Sequence, residues 1–170
     1  MEKINERDGV SRCFDKTLQI TNTWFEELMT EIGPQRQVAW HALSAVLQVV
    51  RDRLPIELSA HLAAQLPLLV RGAYFDQWRP EKQPDIFRTE QEFQARVEAK
   101  LTGTRPVNVR EVARAIFGVL DRHVTPGQIE KVREALPEHV RALWPAPGQF
   151  QPAATGSLGG GGELSMGRRE

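Results

Sequence analysis

The chain repeats itself without a gap at an offset of 70 residues. Residues 42–74 align with residues 112–144, and conservative apolar pairs such as Val46/Ile116 and Leu62/Val132 lie between the identical ones. A unit that recurs at this spacing predicts tandem supersecondary units, and missing it would give the wrong fold. The six identical pairs are Ala45/Ala115, Val49/Val119, Leu66/Leu136, Pro67/Pro137, Val70/Val140 and Arg71/Arg141.

Helical periodicity fills both repeats. Steps of three and four residues predict that one face of the first helix is buried, and Gly33-Pro34 ends that helix. In the second repeat, Thr89 and Glu92 form a capping-box signature at a helix start. The apolar residues on the predicted first-helix face are Phe14, Leu18, Thr21, Phe25, Leu28 and Ile32.

The first helix also belongs to the repeat. Phe93, Val97 and Leu101 align with Trp24, Leu28 and Ile32 at an offset of 69, one residue less than the rest. The prediction is an all-α fold, a tandem pseudo-repeat of a four-helix unit with three helices and a short fourth. These units pack as one compact helical domain, and persistent apolar alternation typical of strands is absent.

The composition suggests where the domain lies within the chain. We expect a disordered N-terminus at 1–12 and a helical domain at 13–145. Its first repeat spans about 14–78, a proline-bearing linker 79–88, and its second repeat about 89–145. The remaining segment, 146–170, is rich in Gly and Pro and includes four successive glycines, so we expect a disordered tail that can be deleted without unfolding the domain.

Charge and cysteine content narrow the possible partners. Lys plus Arg equals Asp plus Glu at 22 each, so no overall field favours nucleic acid. A single cysteine, Cys13, excludes an intrachain disulfide and is typical of a reducing compartment. The charged first ten residues lack the apolar segment of a signal peptide, and no run approaches the roughly 18 apolar residues of a membrane span. We expect a soluble, cytoplasmic protein without a membrane span.

No pattern in the sequence indicates catalysis or a cofactor. The four histidines, His41, His61, His123 and His139, form no close pair, and metal-binding spacings such as HExxH or CxxC are absent. No serine or cysteine lies in the setting of an activated nucleophile. We therefore predict no catalytic residue, no metal ligand and no cofactor.

Two equivalent arginines are candidates for a ligand site. Arg71 and Arg141 each precede an aromatic residue, Tyr74 or Trp144, by three positions. They could line an anion-binding groove between the repeats. In the alternative interpretation, each lays its aliphatic stem on the aromatic ring and its guanidinium caps a neighbouring helix end, a role that serves the fold in both repeats.

The repeats differ most in the segment 56–75, which is apolar nearly all round. Leu68 and Leu69 correspond to Glu138 and His139 in the second repeat. A helix with apolar residues on every side is either buried on every side or presents a surface to a partner. Either the segment is core, or it forms a protein-binding or self-association face. That candidate face consists of Leu68, Leu69, Tyr74, Phe75, Trp78 and Arg79.

These same segments resemble a bacterial family, the domain-of-unknown-function 2267 family. The similar stretches are RDRLP at 51–55, AHLAAQLPLLVRGAYFDQWRP at 60–80, REVARAIF at 110–117 and RHVTPGQIEKVREALPEHVRALWP at 122–145. The resemblance covers about residues 14–145 and leaves the glycine-rich tail outside.

The resemblance implies a compact helical domain found in bacteria, and it transfers no catalytic residue to this chain. Phe75, where the family often has Tyr, and Gln77, where it often has Gly, are mild departures. Together the observations predict a non-enzymatic helical module that binds an unknown protein partner or associates with itself. The alternative function is small-ligand or anion binding between the repeats.

Overall fold

The protein is described by a computed structural model over residues 6–146, with side chains from residue 9 onward. Within this range it is all-α and contains no strand. Eight α-helices are joined by short connections, and one 3₁₀ turn lies at Pro80–Lys82. The helices are α1 (Glu6–Ile32), α2 (Arg36–Arg53), α3 (Ile56–Gln65), α4 (Leu68–Phe75), α5 (Glu90–Lys100), α6 (Val109–His123), α7 (Pro126–Ala135) and α8 (Glu138–Arg141).

The helix boundaries follow from prolines and polar caps. Pro67 and Pro137 each stand directly before a short helix, at a position where a missing N–H costs no intrahelical bond. The Thr89 hydroxyl accepts a hydrogen bond from the Glu92 backbone N–H, as the capping box predicts. The Asn108 side chain caps α6 in the same manner. The sequence signals therefore locate these helix starts correctly.

Helices α2 and α6 form the centre of the molecule. Helix α2 packs against α1, α4, α5 and α6, while α6 packs against α1, α2, α5 and α7. Both helices bury one broad apolar face, including Val46 and Val50 of α2 and Ile116 and Leu120 of α6. Each such side chain contributes about 1.5–3 kcal/mol when it is removed from water. Because α2 and α6 each contact helices from both ends of the chain, they join the buried residues into one continuous core.

Helix α3 packs against α7, so corresponding helices of the two predicted repeats are in direct contact. Gln65 at the end of α3 holds Thr125 at the start of α7 by two hydrogen bonds. The Gln65 side-chain N–H donates to the Thr125 hydroxyl at 3.1 Å, and the Thr125 backbone N–H donates to the Gln65 carbonyl oxygen at 2.8 Å. The Thr125 hydroxyl therefore contacts α3, and the Thr125 side chain does not cap its own helix, α7.

The first helix differs from the prediction at its N-terminal end. It begins at Glu6, so residues 6–12, predicted to be disordered, are helical. Phe14 and Leu18, predicted to face the core, are 67% and 52% exposed, whereas Thr21, Phe25 and Leu28 are buried as expected. The physical reason is that residues 9–20 extend beyond the buried part of the helix, since all of them except Thr17 are exposed. The rest of the predicted termini, 1–5 and 147–170, lies outside the described residues.

Candidate functional site: a buried arginine network and the surface above it

A buried arginine connects the end of α2 to the end of α4. Arg51 is 1% exposed. Its guanidinium donates to the backbone carbonyls of Tyr74 and Asp76, the latter at 3.0 Å, and to the Asp52 carboxylate at 2.7 Å. Burying a charge is costly unless it is paired and hydrogen-bonded, and here it has both kinds of partner. The carbonyls it satisfies lie where α4 ends, so Arg51 fixes the direction in which the chain leaves α4.

Gln83 extends this network into the loop that follows α4. Its side-chain N–H group contacts the backbone carbonyl of Leu54 at 2.7 Å and the Ser59 hydroxyl at 2.6 Å. Its carbonyl oxygen accepts from the Trp78 indole N–H at 2.8 Å. Gln83 also contacts the carbonyl of Arg51. One side chain therefore ties the loop to the α2–α3 corner and to the indole of Trp78.

Tyr74 lies at the bottom of the same network. Its hydroxyl donates to the Ser59 backbone carbonyl at 3.1 Å, and the residue is fully buried. Burial raises the pKa of Tyr74 to about 12, although the hydrogen bond to Ser59 and the charge of Arg51 act in the opposite direction. Tyr74 is therefore a neutral donor inside the core, and the exposed part of the predicted interaction face does not include it.

The remaining residues of that face lie at or near the surface. Leu68 and Leu69 are 62% and 42% exposed at the start of α4. Phe75 and Trp78 are half-buried with ring centroids 5.0 Å apart, and Arg79 is exposed. We call these five residues the Leu68 surface. The segment 56–75 is thus partly core and partly surface, since Leu62 and Val70 are buried whereas Leu68 and Leu69 are exposed.

The matching positions of α8 are exposed but polar. Glu138 and His139 follow Pro137, as Leu68 and Leu69 follow Pro67, and all four side chains are exposed. The next residue is buried in both helices, as Val70 and Val140. Two backbones of similar local form therefore present an apolar pair in one place and a polar pair in the other.

The two predicted anion-site arginines have different surroundings. The Arg71 guanidinium donates to the carbonyls of Ala63, Ala64 and Leu66 at 2.8, 3.0 and 3.1 Å, so it caps the end of α3. Arg141 lines a surface cleft that Arg71 does not line. The other residues of that cleft are Asp121, Pro126, Ile129, Glu130, Arg133 and Glu134.

A second cleft was not anticipated from the sequence. It lies between the end of α2, the loop after α4 and the end of α5, and it contains the exposed cations Arg79 and Lys82 together with Lys100. Gln77, with a φ of 51°, lies at its edge. No local motif announces this cleft, because its residues come from three separate segments. The burial of Arg51 was also not predicted from the sequence. The one indication in the sequence was that a charged residue occurs on the apolar face of α2.

Among residues 9–146, no group of three His, Cys, Asp or Glu side chains is arranged to hold a metal ion. None of the helices in the described part of the chain is long and apolar enough to span a membrane.

Comparison with known protein families identifies the family of this chain. None of the curated protein sequences compared with the chain matches it significantly. The model of the family described as "Uncharacterized conserved protein (DUF2267)" matches residues 21–143, which include α2 to α8 and the buried half of α1. Because this match covers most of the chain and the whole helical core, the chain belongs to the DUF2267 family.

Proposed function

We propose that this domain is a non-enzymatic helical protein-interaction module that binds its partner through the Leu68 surface. The observation that carries the proposal is the contrast between exposed Leu68 and Leu69 and the exposed polar pair at the start of α8. Because both pairs face solvent, burial inside the domain does not account for the leucines. Exposed apolar surface marks binding sites, and the aromatic and arginine residue types that follow on the same segment, Trp78 and Arg79, are enriched at binding hot spots.

The network beneath the surface supports this proposal. Arg51 and Gln83 hold the loop that carries Trp78 and Arg79 against α2. A surface whose residues are held in place loses little conformational entropy when a partner binds. The buried charge of Arg51 thus lies in the same half of the domain as the Leu68 surface.

We further propose that the domain is a tandem pseudo-repeat built around an approximate two-fold axis. Helices α3 (56–65) and α7 (126–135) begin and end 70 residues apart. Three packing relations also interchange when α1 to α4 are exchanged with α5 to α8, whereas the α2–α4 packing has no equally extensive counterpart between α6 and α8. Thus α1 packs on α6 as α5 packs on α2, α1 on α2 as α5 on α6, and α1 on α4 as α5 on α8.

The interaction proposal is tested by giving the first half the polar pair of the second. In Leu68→Glu/Leu69→His we expect an intact fold and the loss of a partner that copurifies with the wild-type chain from the native host. The matched control is Glu138→Ala/His139→Ala, which alters the equivalent exposed pair and should retain that partner. Equal recovery of the partner with both variants would remove the Leu68 surface from consideration, and unfolding of the first variant would place the leucines in the core.

A second candidate function is the binding of a small anion. The anion site that we propose is the cleft formed by Arg79, Lys82 and Lys100, which lies between segments of the two halves. Asp85, which also lines it, pairs with Arg96 at 2.8 Å. Asp52 pairs with Arg51 at 2.7 Å and with Lys100 at 4.0 Å, so the cleft still has more cations than carboxylates. The excess positive charge favours an anionic ligand. Arg71 is less suited to this role, since its guanidinium already donates to three carbonyls.

Thermal shift with inorganic phosphate and with a nucleotide tests this candidate, because a ligand that binds only the folded state raises the melting temperature. We expect an increase that Lys82→Gln/Lys100→Gln abolishes and that the exposed control Lys131→Gln retains. The same increase in all three proteins would assign the effect to general salt stabilisation.

We propose a cytoplasmic location for the protein. The proposal is supported by the single exposed cysteine, Cys13, which is typical of a reducing compartment. Fractionation of the native host, followed by immunodetection of the chain, tests this location.

A further inference from the structure

The N-terminal part of α1 projects beyond the helical core. We call residues 9–20 the arm. Eleven of these twelve residues are exposed and the other, Thr17, is half-buried. Burial begins at Thr21, and the family match also begins at residue 21. The equivalent helix α5 starts at Glu90, which aligns with Thr21 at the offset of 69. Three independent observations therefore place the boundary of the helical core between residues 20 and 21, and the arm lies outside the core.

The arm has a well-defined apolar side. Val10, Phe14 and Leu18 follow one another at four-residue spacing, so they lie along one face, and they are 56%, 67% and 52% exposed. Arg12, Asp15, Lys16 and Gln19 occupy the opposite face by the same spacing. The arm continues a helix that the core already holds, and packing of its apolar face against another surface would stabilise it further.

The apolar face of the arm continues an interface that exists within the molecule. From Phe14 the steps alternate four and three residues through Leu18, Thr21, Phe25 and Leu28. The last two of these are buried in the core, where Phe25 contacts Trp40 of α2. Alternating steps of this kind produce the straight apolar seam of a coiled coil. The part of the seam outside the core is thus suited to receive another helix.

Charge favours another molecule of this chain over a lipid surface. Residues 6–20 carry three acidic and three basic residues, so the arm is neutral overall and lacks the basic excess of helices that bind anionic membranes. Between residues 9 and 20 the seam itself carries no charge, so two arms can join without burying an unpaired ion. A two-fold interface requires a self-complementary surface, and a neutral apolar stripe meets that requirement.

We infer that the arm mediates self-association by packing its Val10–Phe14–Leu18 stripe against the same stripe of another molecule of this chain. Two helical arms of about 18 Å each bury less than a standard interface, because a helix rises about 1.5 Å per residue. The association is therefore weak and concentration-dependent. It is independent of the Leu68 surface, which lies on α4 and in the loop after it.

Sedimentation velocity of the full chain over a range of concentrations tests this inference. We expect the average mass to rise toward that of two molecules. Phe14→Lys/Leu18→Lys should weaken the association by at least about tenfold, as the loss of a central apolar anchor does. The control Gln19→Lys/Thr23→Lys adds the same charge at the same spacing on the polar side and should associate like the wild type. A monomer at every concentration, or equal weakening by both variants, would refute the inference.

Cys13 gives a second readout that needs no change in the apolar stripe. It is the only cysteine and is exposed on the arm next to Phe14. A spin label on Cys13 should show dipolar coupling between molecules in concentrated wild-type protein. The coupling should disappear when labelled protein is diluted with unlabelled protein. A labelled protein that associates without such coupling would place the contact elsewhere and overturn the role of the arm.

Discussion

In the tandem repeat that we propose, the ends of α2 and α6 occupy matching places in the two halves, but they are held by different chemistry. In the first half, buried Arg51 donates to the carbonyls at the end of α4. In the second half, the position 70 residues later is Asp121, which accepts from the Trp144 indole N–H at 2.9 Å. Trp144 also stacks on Phe117, with ring centroids 3.8 Å apart and planes 6° from parallel.

This difference distinguishes the interactions that the fold needs in both halves from the features that only the first half has. Both halves need a link from the central helix to the last helix, and either an ion or an aromatic stack supplies it. Only the first half adds the Gln83 loop, and only the first half exposes the apolar pair at the start of its last helix. Function should therefore be sought where the halves diverge.

The largest expected effect comes from removing the buried charge. Arg51→Met leaves the carbonyls of Tyr74 and Asp76 without their donor, so we expect a loss of about 3–5 kcal/mol in unfolding free energy. Asp121→Ala removes one half-buried hydrogen bond and should cost about 1 kcal/mol. Denaturant unfolding of both variants measures the contrast, and equal losses would mean that the two links carry the same weight.

Tyr74→Phe should cost about 1–2 kcal/mol at neutral pH, because it leaves the buried Ser59 carbonyl without its donor. The pKa of Tyr74, raised to about 12, adds a pH dependence. In the folded state the hydroxyl holds its proton more tightly than in the unfolded state, so its stabilisation is complete below about pH 10 and is lost as the pH rises toward about 12.

Tyr74 is the only tyrosine in the chain, so its ionisation can be followed directly by ultraviolet absorbance. We expect the folded protein to titrate above the ordinary tyrosine range. Titration near pH 10 in the folded protein would show that the hydroxyl is accessible to solvent and would contradict its place in the network.

Helix α6 of the second half is tied to α1 of the first half by a partly exposed ionic cluster, whose effect should be smaller. Burial by itself raises the pKa of Glu27, but hydrogen bonds from Arg122 and His123, together with their charges, outweigh it and lower that pKa. A lowered carboxyl pKa stabilises the fold above the unfolded value and this contribution is lost as the pH falls through the folded value.

We therefore expect Glu27→Gln to cost about 0.5–1 kcal/mol at pH 7 and progressively less below about pH 4. Thermal unfolding of both proteins at several pH values checks this. A difference that stays constant down to acid pH would show that the ionised carboxylate contributes nothing.

The smallest expected effect belongs to the Leu68 surface. Leu68→Glu/Leu69→His exchanges exposed side chains for those of the other half, so the unfolding free energy should change by less than about 0.5 kcal/mol. Denaturant unfolding measures it. A loss of several kcal/mol would show that the leucines are core residues, and the contrast between the halves would then have no bearing on binding.

The sequence predicted the helices well because prolines and caps act locally. Pro67, Pro137, Thr89 and Asn108 each specify a boundary through their own backbone or side chain, and the structure has a helix start at each. The apolar spacing of α1 predicted its buried face from Thr21 onward. It did not predict that the apolar face extends beyond the helices that cover it. Spacing describes one helix and carries no information on the length of its neighbours.

The candidate site was less predictable because it is built from distant segments. Arg51 meets Tyr74 and Gln83 across more than twenty residues of sequence, and no periodic pattern encodes such a meeting. Tyr74 was assigned to a candidate interaction face with a core position as the alternative, and the helix turns it inward toward Ser59. Leu68 and Leu69, in contrast, were distinguished by comparing the repeats.

Photo-crosslinking in the native host tests the central claim most directly. A photo-reactive amino acid is placed at position 68 in one protein and at position 138 in another, so the two probes sit at equivalent exposed sites. We predict a crosslinked species of higher mass from position 68 that is absent from position 138. No adduct from position 68, or the same adducts from both positions, would contradict a binding role for the Leu68 surface.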